Sequence, residues 1–142
     1  MAISTNGAII TRVTSALYGE YLSNASYSEV KDTAPATVAA NFLANDFAGK
    51  TDLQVANTIL TNLGLTSITG LNNWVAAQLT AAGSHKGAKV VELLNGFAQM
   101  SADATYGAAA TAFNTAALTN GMYTVILTNG TTVETRKFIV QH

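Results

Sequence analysis

The sequence contains no cysteine, a single proline and few charged residues. The absence of cysteine excludes disulfide bonds, thiolate metal sites and cysteine catalysis. Charged residues make up 11% of the chain, against roughly a quarter in an ordinary globular protein. The seven Lys and Arg residues are scattered, so the footprint of a nucleic-acid or anionic-lipid partner is missing. No apolar run approaches the roughly 20 residues that span a bilayer, so membrane insertion is not expected.

Small neutral residues replace the missing charges. Of the 142 residues, 25 are Ala, 20 are Thr and 12 are Asn, and 49% are hydrophobic. This composition supports one ordinary core and excludes a disordered chain, which would have low hydrophobicity and high charge. A surface of hydroxyls and amides, with a net charge of −1, does little to keep identical copies apart. The composition therefore favours an extracellular structural protein that packs against itself.

The apolar residues predict a mainly α protein, in which a compact bundle of about six short helices (residues 1–120) is followed by a β-hairpin (residues 121–142). Thr51 is a good N-cap, and Gly64 and Gly83 are well placed to end helices. Pro35 suits the first turn of a helix. The polar segment from Asn24 to Thr33 lacks helical periodicity and is predicted to be a loop. Ser84 and Ser101 are predicted to cap the last two helices.

The apolar period changes to two after Gly121. Asn129-Gly130 is a strong signal for a two-residue turn, which would place Thr128 opposite Thr131. On that register Phe138, Ile139 and Val140 extend beyond the partner strand. We expect the hairpin to pack either on its own bundle or on a neighbouring subunit, because an isolated hairpin is marginally stable and its edges can pair with another chain.

The segment Leu53–Met100 carries a spaced pattern that includes Leu63-Gly64, Gly70-Leu71 and Trp74. It resembles the helical repeat domain of unassigned function found in bacterial secreted and surface proteins, as in the N-terminal regions of proteobacterial S-layer proteins. The family usually has Arg and a Pro-Asp pair after Leu-Gly, where this chain has Leu65–Thr69, so no contact of those residues is carried over. The resemblance implies a location outside the cell and a structural or anchoring role. Surface layers of that group are often calcium-dependent and bind lipopolysaccharide.

Within this segment four large apolar residues are expected to anchor the core of the bundle. Trp74 is the chain's one tryptophan, and it is expected at the centre of that packing. The four predicted core anchors are Leu63, Leu71, Trp74 and Phe97.

No group of residues predicts an enzyme. His85 and His142 stand far apart, and neither has a carboxylate at a metal-ligand spacing. No pair of acidic residues lies in an apolar context that would raise one pKa. We therefore expect no catalytic residue and no cofactor, with calcium as the one metal to consider.

The calcium hypothesis rests on one loop. Asn45, Asp46 and Asp52 place several oxygen ligands between two predicted helices, as a hard cation requires. The loop lacks the alternating acids and terminal Glu of an EF-hand. The alternative is that Thr51 is an N-cap and that Asp52 stabilises the positive end of a helix dipole.

The N-terminus has no basic segment followed by an apolar one, so we expect an extracellular or cell-surface protein exported without a cleavable signal. The first functional hypothesis is a self-assembling bacterial filament or S-layer-like subunit whose partner is itself. Its contacts would be made by Ile9 and Ile10 at one end and by Phe138, Ile139 and Val140 at the other. The alternative is a module that anchors to cell-surface polysaccharide, with Tyr18, Tyr21 and Tyr27 stacking on sugars.

Overall fold

The computed structural model describes residues 5–20, 22–116, 121–128 and 133–140. Within these ranges there are seven α-helices, a 3₁₀ turn and two strands. None of the described helices is long and apolar enough to cross a bilayer. The elements are α1 (Thr5–Tyr18), α2 (Asn24–Val30), α3 (Pro35–Asp46), α4 (Asp52–Leu63), α5 (Leu71–Ala82), the 3₁₀ turn (Gly83–His85), α6 (Lys86–Ala98), α7 (Gly107–Ala116), β1 (Gly121–Thr128) and β2 (Val133–Val140).

The ends of α4 confirm the sequence prediction in detail. Thr51 is the N-cap, and its hydroxyl accepts from the Gln54 N–H while the Gln54 side chain accepts from the Thr51 N–H. This reciprocal pair is a capping box. At the other end Gly64 adopts a left-handed conformation with a φ of 72°, and the Leu65 N–H reaches back to the Leu60 carbonyl. Only glycine takes that conformation at no steric cost, so the helix ends where the sequence predicts.

The prediction of a loop between Asn24 and Thr33 is wrong, because residues 24–30 form α2. The Ser23 hydroxyl caps this helix by accepting from the Ser26 N–H at 3.1 Å. The helix has two turns and no apolar stripe of helical period, so periodicity does not reveal it. Because of this additional helix, the described residues contain seven α-helices, whereas the sequence predicts about six.

The starts of the last two helices also differ from the prediction. Ser84 lies in the 3₁₀ turn before α6, and no side chain caps that helix. Ser101 does not start α7, which begins at Gly107. Instead, the Asp103 carboxylate accepts from the N–H groups of Thr105 and Tyr106, at 2.7 and 2.9 Å. An acidic side chain therefore organises the turn that leads into α7.

Helix α1 lies at the centre of the bundle and packs against α3, α4, α6 and α7. Its apolar stripe, which includes Ile10, Val13 and Leu17, is completely or almost completely buried. Thr11 and Thr14 are buried as well, and each hydroxyl donates to the carbonyl four residues earlier. Because a buried hydroxyl needs a hydrogen-bond partner, these local bonds let threonine occupy core positions.

The predicted C-terminal hairpin with a two-residue turn at Asn129-Gly130 is wrong. In the antiparallel pair β1–β2, Thr128 lies opposite Val133 rather than Thr131. Four residues therefore separate the paired ends, and they lie outside the described residues. On this register Phe138, Ile139 and Val140 do not overshoot, because they lie opposite Tyr123, Met122 and Gly121. A shift of two residues keeps every side chain on its own face, so the alternating pattern does not distinguish the two registers.

Helices α3 and α6 approach each other closely at Gly87. A Cβ atom at this buried glycine would lie 2.5 Å from the Ala36 carbonyl oxygen and 2.6 Å from the Ala40 nitrogen. These are backbone atoms that cannot move aside independently. Gly96 on the same helix is the opposite case, because a Cβ there would meet nothing within 4 Å.

The two glycines of α6 give a matched pair of variants. We expect Gly87→Ala to lower the free energy of unfolding by about 1–3 kcal/mol, as overpacking typically does. Gly96→Ala should leave it unchanged or raise it by up to about 1 kcal/mol, because alanine is the better helix former. Urea unfolding followed by circular dichroism measures both. Equal destabilisation by the two variants would contradict the close α3–α6 contact.

Candidate functional site

An open apolar groove lies between α4, α5 and α6, with a volume of about 630 Å³. We call it the α4–α5–α6 groove. Its walls are aliphatic and aromatic, and its volume falls in the range of protein binding sites. The residues that define it are Leu63 of α4, Leu71 and Trp74 of α5, Leu93, Gly96 and Phe97 of α6, and Met100 after α6.

All four predicted core anchors line this groove, but Trp74 is not a core residue. Its side chain is 53% exposed, and Leu63 and Leu71 are partly buried. Phe97 is buried and packs against Phe113 of α7, with 5.4 Å between the ring centres. Periodicity correctly placed Trp74 on the apolar side of α5. It did not reveal that the neighbouring helices leave this side uncovered.

The rim of the groove carries a balanced pair of charges. Glu92 lines the groove, and its carboxylate accepts from the Lys89 ammonium group at 2.7 Å. Met100 is 41% exposed at the end of α6. Tyr106, in the turn before α7, also lines the groove. In this turn the backbone N–H groups of Tyr106 and Thr105 donate to Asp103 and lower the pKa of its carboxyl group. The described lining therefore offers a hydrophobic surface with a neutral edge.

A second, more polar cavity of about 430 Å³ contains Asp52. The Asp52 carboxylate accepts from Lys86 at 2.6 Å and from the Thr80 hydroxyl at 2.8 Å. The hydrogen bond from Lys86 lowers the pKa of Asp52 below its usual range, and Thr80 adds to this effect. This pair joins the start of α4 to α5 and α6, which is a structural role.

The structure does not support the calcium hypothesis for Asn45, Asp46 and Asp52. The Tyr18 hydroxyl donates a short hydrogen bond to Asp46, while Asp52 is bound to Lys86. Asn45 is exposed. Across the described ranges, no three or more His, Cys, Asp or Glu residues gather as metal ligands would. The sequence places these oxygens near one another along the chain, but the fold gives the two carboxylates different partners.

The proposed N-terminal assembly contact also needs correction. Ile10 is completely buried in the bundle, so it is unavailable to another subunit. Ile9 is partly buried. Helical periodicity identified Ile10 as apolar-facing, and that face belongs to the core. The backbone of Phe138, Ile139 and Val140 pairs with β1, and their side chains lie outside what the structure describes.

Among the described residues, the tyrosines considered for sugar binding do not form an exposed aromatic surface. Tyr18 packs against Phe42 and Phe47, with ring centres 5.2 and 5.8 Å away. Burial and the nearby Asp46 carboxylate raise the pKa of Tyr18. Tyr21 lies outside the described residues, and Tyr27 is partly buried. Tyr18 therefore serves to join α1 to α3.

Two buried polar atoms have no hydrogen-bond partner within the described ranges: Arg12 Nε and Asn95 Oδ1. Arg12 donates through Nη2 to the side-chain oxygen of Asn114 at 3.3 Å, and burial lowers the pKa of Arg12. An unsatisfied buried group costs about 1–3 kcal/mol. Arg12 belongs to α1 and Asn95 to α6, and the hydrogen bond to Asn114 joins α1 to α7.

Comparison with protein families relates the C-terminal part of the chain to a known domain. Residues 82–141 match the family described as a secretion system C-terminal sorting domain. The matched part is less than half of the chain, and its described residues hold α6, α7, β1 and β2. The match indicates a protein that is secreted or located at the cell surface.

No curated protein and no solved structure matches the chain. The comparisons also show no helical repeat or S-layer family. The resemblance drawn from Leu53–Met100 is thus replaced by a match that begins later, at residue 82. Both point outside the cell, which is the part of the sequence prediction that the family match supports.

The Asp52–Lys86 pair makes stability depend on pH. Because folding lowers the pKa of Asp52, its contribution is present above the pKa of the unfolded chain and is lost as pH falls through the folded pKa. We expect Asp52→Asn to lower the free energy of unfolding by up to about 1 kcal/mol near pH 7. The difference from the wild type should shrink on acidification. Urea unfolding in pH steps measures it.

Asp32→Asn is the control, because the Lys31–Asp32 pair is much more exposed. This variant should change the free energy of unfolding by less than about 0.5 kcal/mol. If Asp52→Asn costs the same at acidic and neutral pH, the lost stability is not due to the charge on Asp52.

Proposed function

We propose that the protein is a self-assembling structural subunit on the outside of a bacterial cell, forming a filament or an S-layer-like sheet. Its activity in this proposal is association with identical copies, and it performs no catalysis. The secreted or cell-surface location is supported by the sorting-domain match. The association is our inference from surface chemistry and from the α4–α5–α6 groove.

The observation that carries the proposal is the exposure of Trp74. A tryptophan that is 53% exposed beside an apolar groove leaves a large hydrophobic area in contact with water. Exposed apolar patches of this kind mark interaction sites, and tryptophan is enriched where proteins meet. The rest of the surface has little charge that would oppose contact, since the net charge is −1.

A filament or a sheet requires a second contact surface besides the α4–α5–α6 groove. A groove contact related by a two-fold axis would join only two copies. We propose the strand Val133–Val140, with Phe138, Ile139 and Val140, for the second contact. The strand pairs with β1, and the described residues add no third strand to the sheet. Unpaired strand edges are templates for other chains.

A polysaccharide-anchoring module is the second candidate, and exposed Trp74 is the feature that favours it. Aromatic rings stack on sugars, but sugar hydroxyls also need hydrogen-bond partners. The described groove lining is mostly aliphatic, and its charged member, Glu92, is already paired with Lys89. This chemistry favours a protein partner over a glycan. Binding of lipopolysaccharide to the monomeric protein would favour the anchoring function instead.

Purified protein is expected to associate as its concentration rises. Light scattering should show a mass well above 14.7 kDa, and negative-stain microscopy should show regular filaments or sheets. The result should be the same with calcium and with a chelator, because Asp46 and Asp52 have protein partners. A monomer at every concentration would contradict the proposal, and assembly lost in the chelator would restore the calcium hypothesis.

Removal of residues 138–142 tests the second contact. We expect small associations to persist, because the α4–α5–α6 groove is intact, while filaments or sheets no longer grow. Circular dichroism should show that the helical content is unchanged. Polymers of normal length from the truncated chain would remove this strand from the mechanism.

A further inference from the structure

Within the part of the chain that the structure describes, Gly96 has no packing reason to be glycine. It lies inside α6 and lines the α4–α5–α6 groove, and a Cβ atom there would meet nothing within 4 Å. Gly87, by contrast, is required because a Cβ would meet the α3 backbone. Glycine inside a helix is unfavourable relative to alanine, and this chain uses alanine at 25 positions. This glycine lowers the stability of the helix, and no described contact within the chain requires it. It therefore indicates that another molecule approaches α6 closely at this position.

The openness of the groove decides what kind of molecule that is. A small ligand is normally enclosed over most of its surface, whereas Trp74 and Met100 on these walls are 53% and 41% exposed. A small molecule in the groove would leave both rims in water. An occupant that covers the rims as well is protein-sized.

The charges around the groove match a second copy of the same chain. Lys89 and Glu92 stand three residues apart on α6 and have opposite signs. Within one chain the two side chains pair with each other. When two such helices meet antiparallel about a two-fold axis, each charge can also face its opposite in the other copy. Trp74 lines the groove and is 53% exposed, so the same surface offers both a large exposed side chain and an open cavity. An isologous contact requires this self-complementarity.

We infer that the α4–α5–α6 groove is a two-fold contact between copies of this chain, in which Trp74 of each copy occupies the groove of the other and Gly96 allows the close approach. This inference rests on the proposed self-assembly and names its surface. A stable interface buries roughly 800 Å² per partner, and we expect a contact limited to one groove to bury less. The isolated pair is therefore weak, and a polymer gains strength by combining it with a second contact.

The single tryptophan makes the contact directly observable in the unmodified protein. As concentration rises, Trp74 moves from partial exposure to burial, so its fluorescence emission shifts to shorter wavelength. The shift should follow the mass measured by light scattering over the same concentrations. Association without any shift leaves the proposed function intact and overturns the groove as its surface. A monomer at all concentrations overturns both.

Variants separate the contact from folding. Trp74→Gln and Gly96→Ala should each weaken association by roughly tenfold or more, as misfitted contacts do. Gly96→Ala is expected to fold at least as well as the wild type, so its loss of association cannot come from unfolding. Leu53→Gln is the control for Trp74→Gln, because Leu53 is also an exposed large apolar residue but does not line the groove. Unchanged association in both groove variants overturns the inference.

The remaining occupants are tested with the same fluorescence signal. Sodium decanoate serves as a probe for a small apolar ligand. An emission shift on adding decanoate to a protein that stays monomeric overturns the inference in favour of ligand binding. In the other outcome, decanoate competes with the contact and dissociates the assembled protein. If Gly96→Ala then weakens both the self-association and the effect of decanoate, the result supports the groove as the contact.

Discussion

The close contact between α3 and α6 at Gly87 fixes how α6 is held in the bundle. Because the Gly87 backbone lies against Ala36 and Ala40, one face of α6 is committed to α3. Its apolar stripe then supplies Val90 and Leu94 to the core. Leu93 and Gly96 line the groove that α6 forms with α4 and α5, and so do Val90 and Leu94. The position in which α3 holds α6 therefore also sets the wall that α6 contributes to the groove.

This arrangement explains why Trp74 is exposed although it belongs to an apolar stripe. Helix α5 packs against α4 and α6 through Val75 and Leu79, which are buried. The indole lies just outside that contact, and the described residues include no helix that covers it. A monomer would gain hydrophobic stabilisation by covering a ring of this size. Because the described fold leaves Trp74 about half exposed, a partner that covers the indole would gain this stabilisation instead.

Local signals in the sequence predicted much of the bundle and little of the site. Thr51 and Gly64 identify the ends of α4 because capping depends on neighbouring residues alone. Helix α2 escaped detection because a short, polar helix has a cap but no stripe. The strand register depends on the length of the connection, and a shift of two residues leaves the alternation unchanged.

The candidate site shows the same division between local and tertiary information. The sequence identified Leu63, Leu71, Trp74 and Phe97 as large apolar residues of one region, and all four line one groove. Whether such a region is closed or open depends on the contacts of α6 with α3, which are remote along the chain. Gly96 carried a usable signal, because a glycine within an alanine-rich sequence is costly in a helix. Its meaning emerged only when the space around it was known.

The scarcity of charge connects the fold to the proposed assembly. None of the described α-helices has a basic residue in its last turn, where Lys or Arg commonly binds the free carbonyls. Neutral amides do this instead: Asn62 donates to the Ala16 carbonyl and Asn114 to the Ala98 carbonyl, both at 2.8 Å. Helix ends are satisfied without adding charge to the surface. In the proposed assembly, copies would therefore approach without strong repulsion, and burial of the apolar groove would be the dominant force between them.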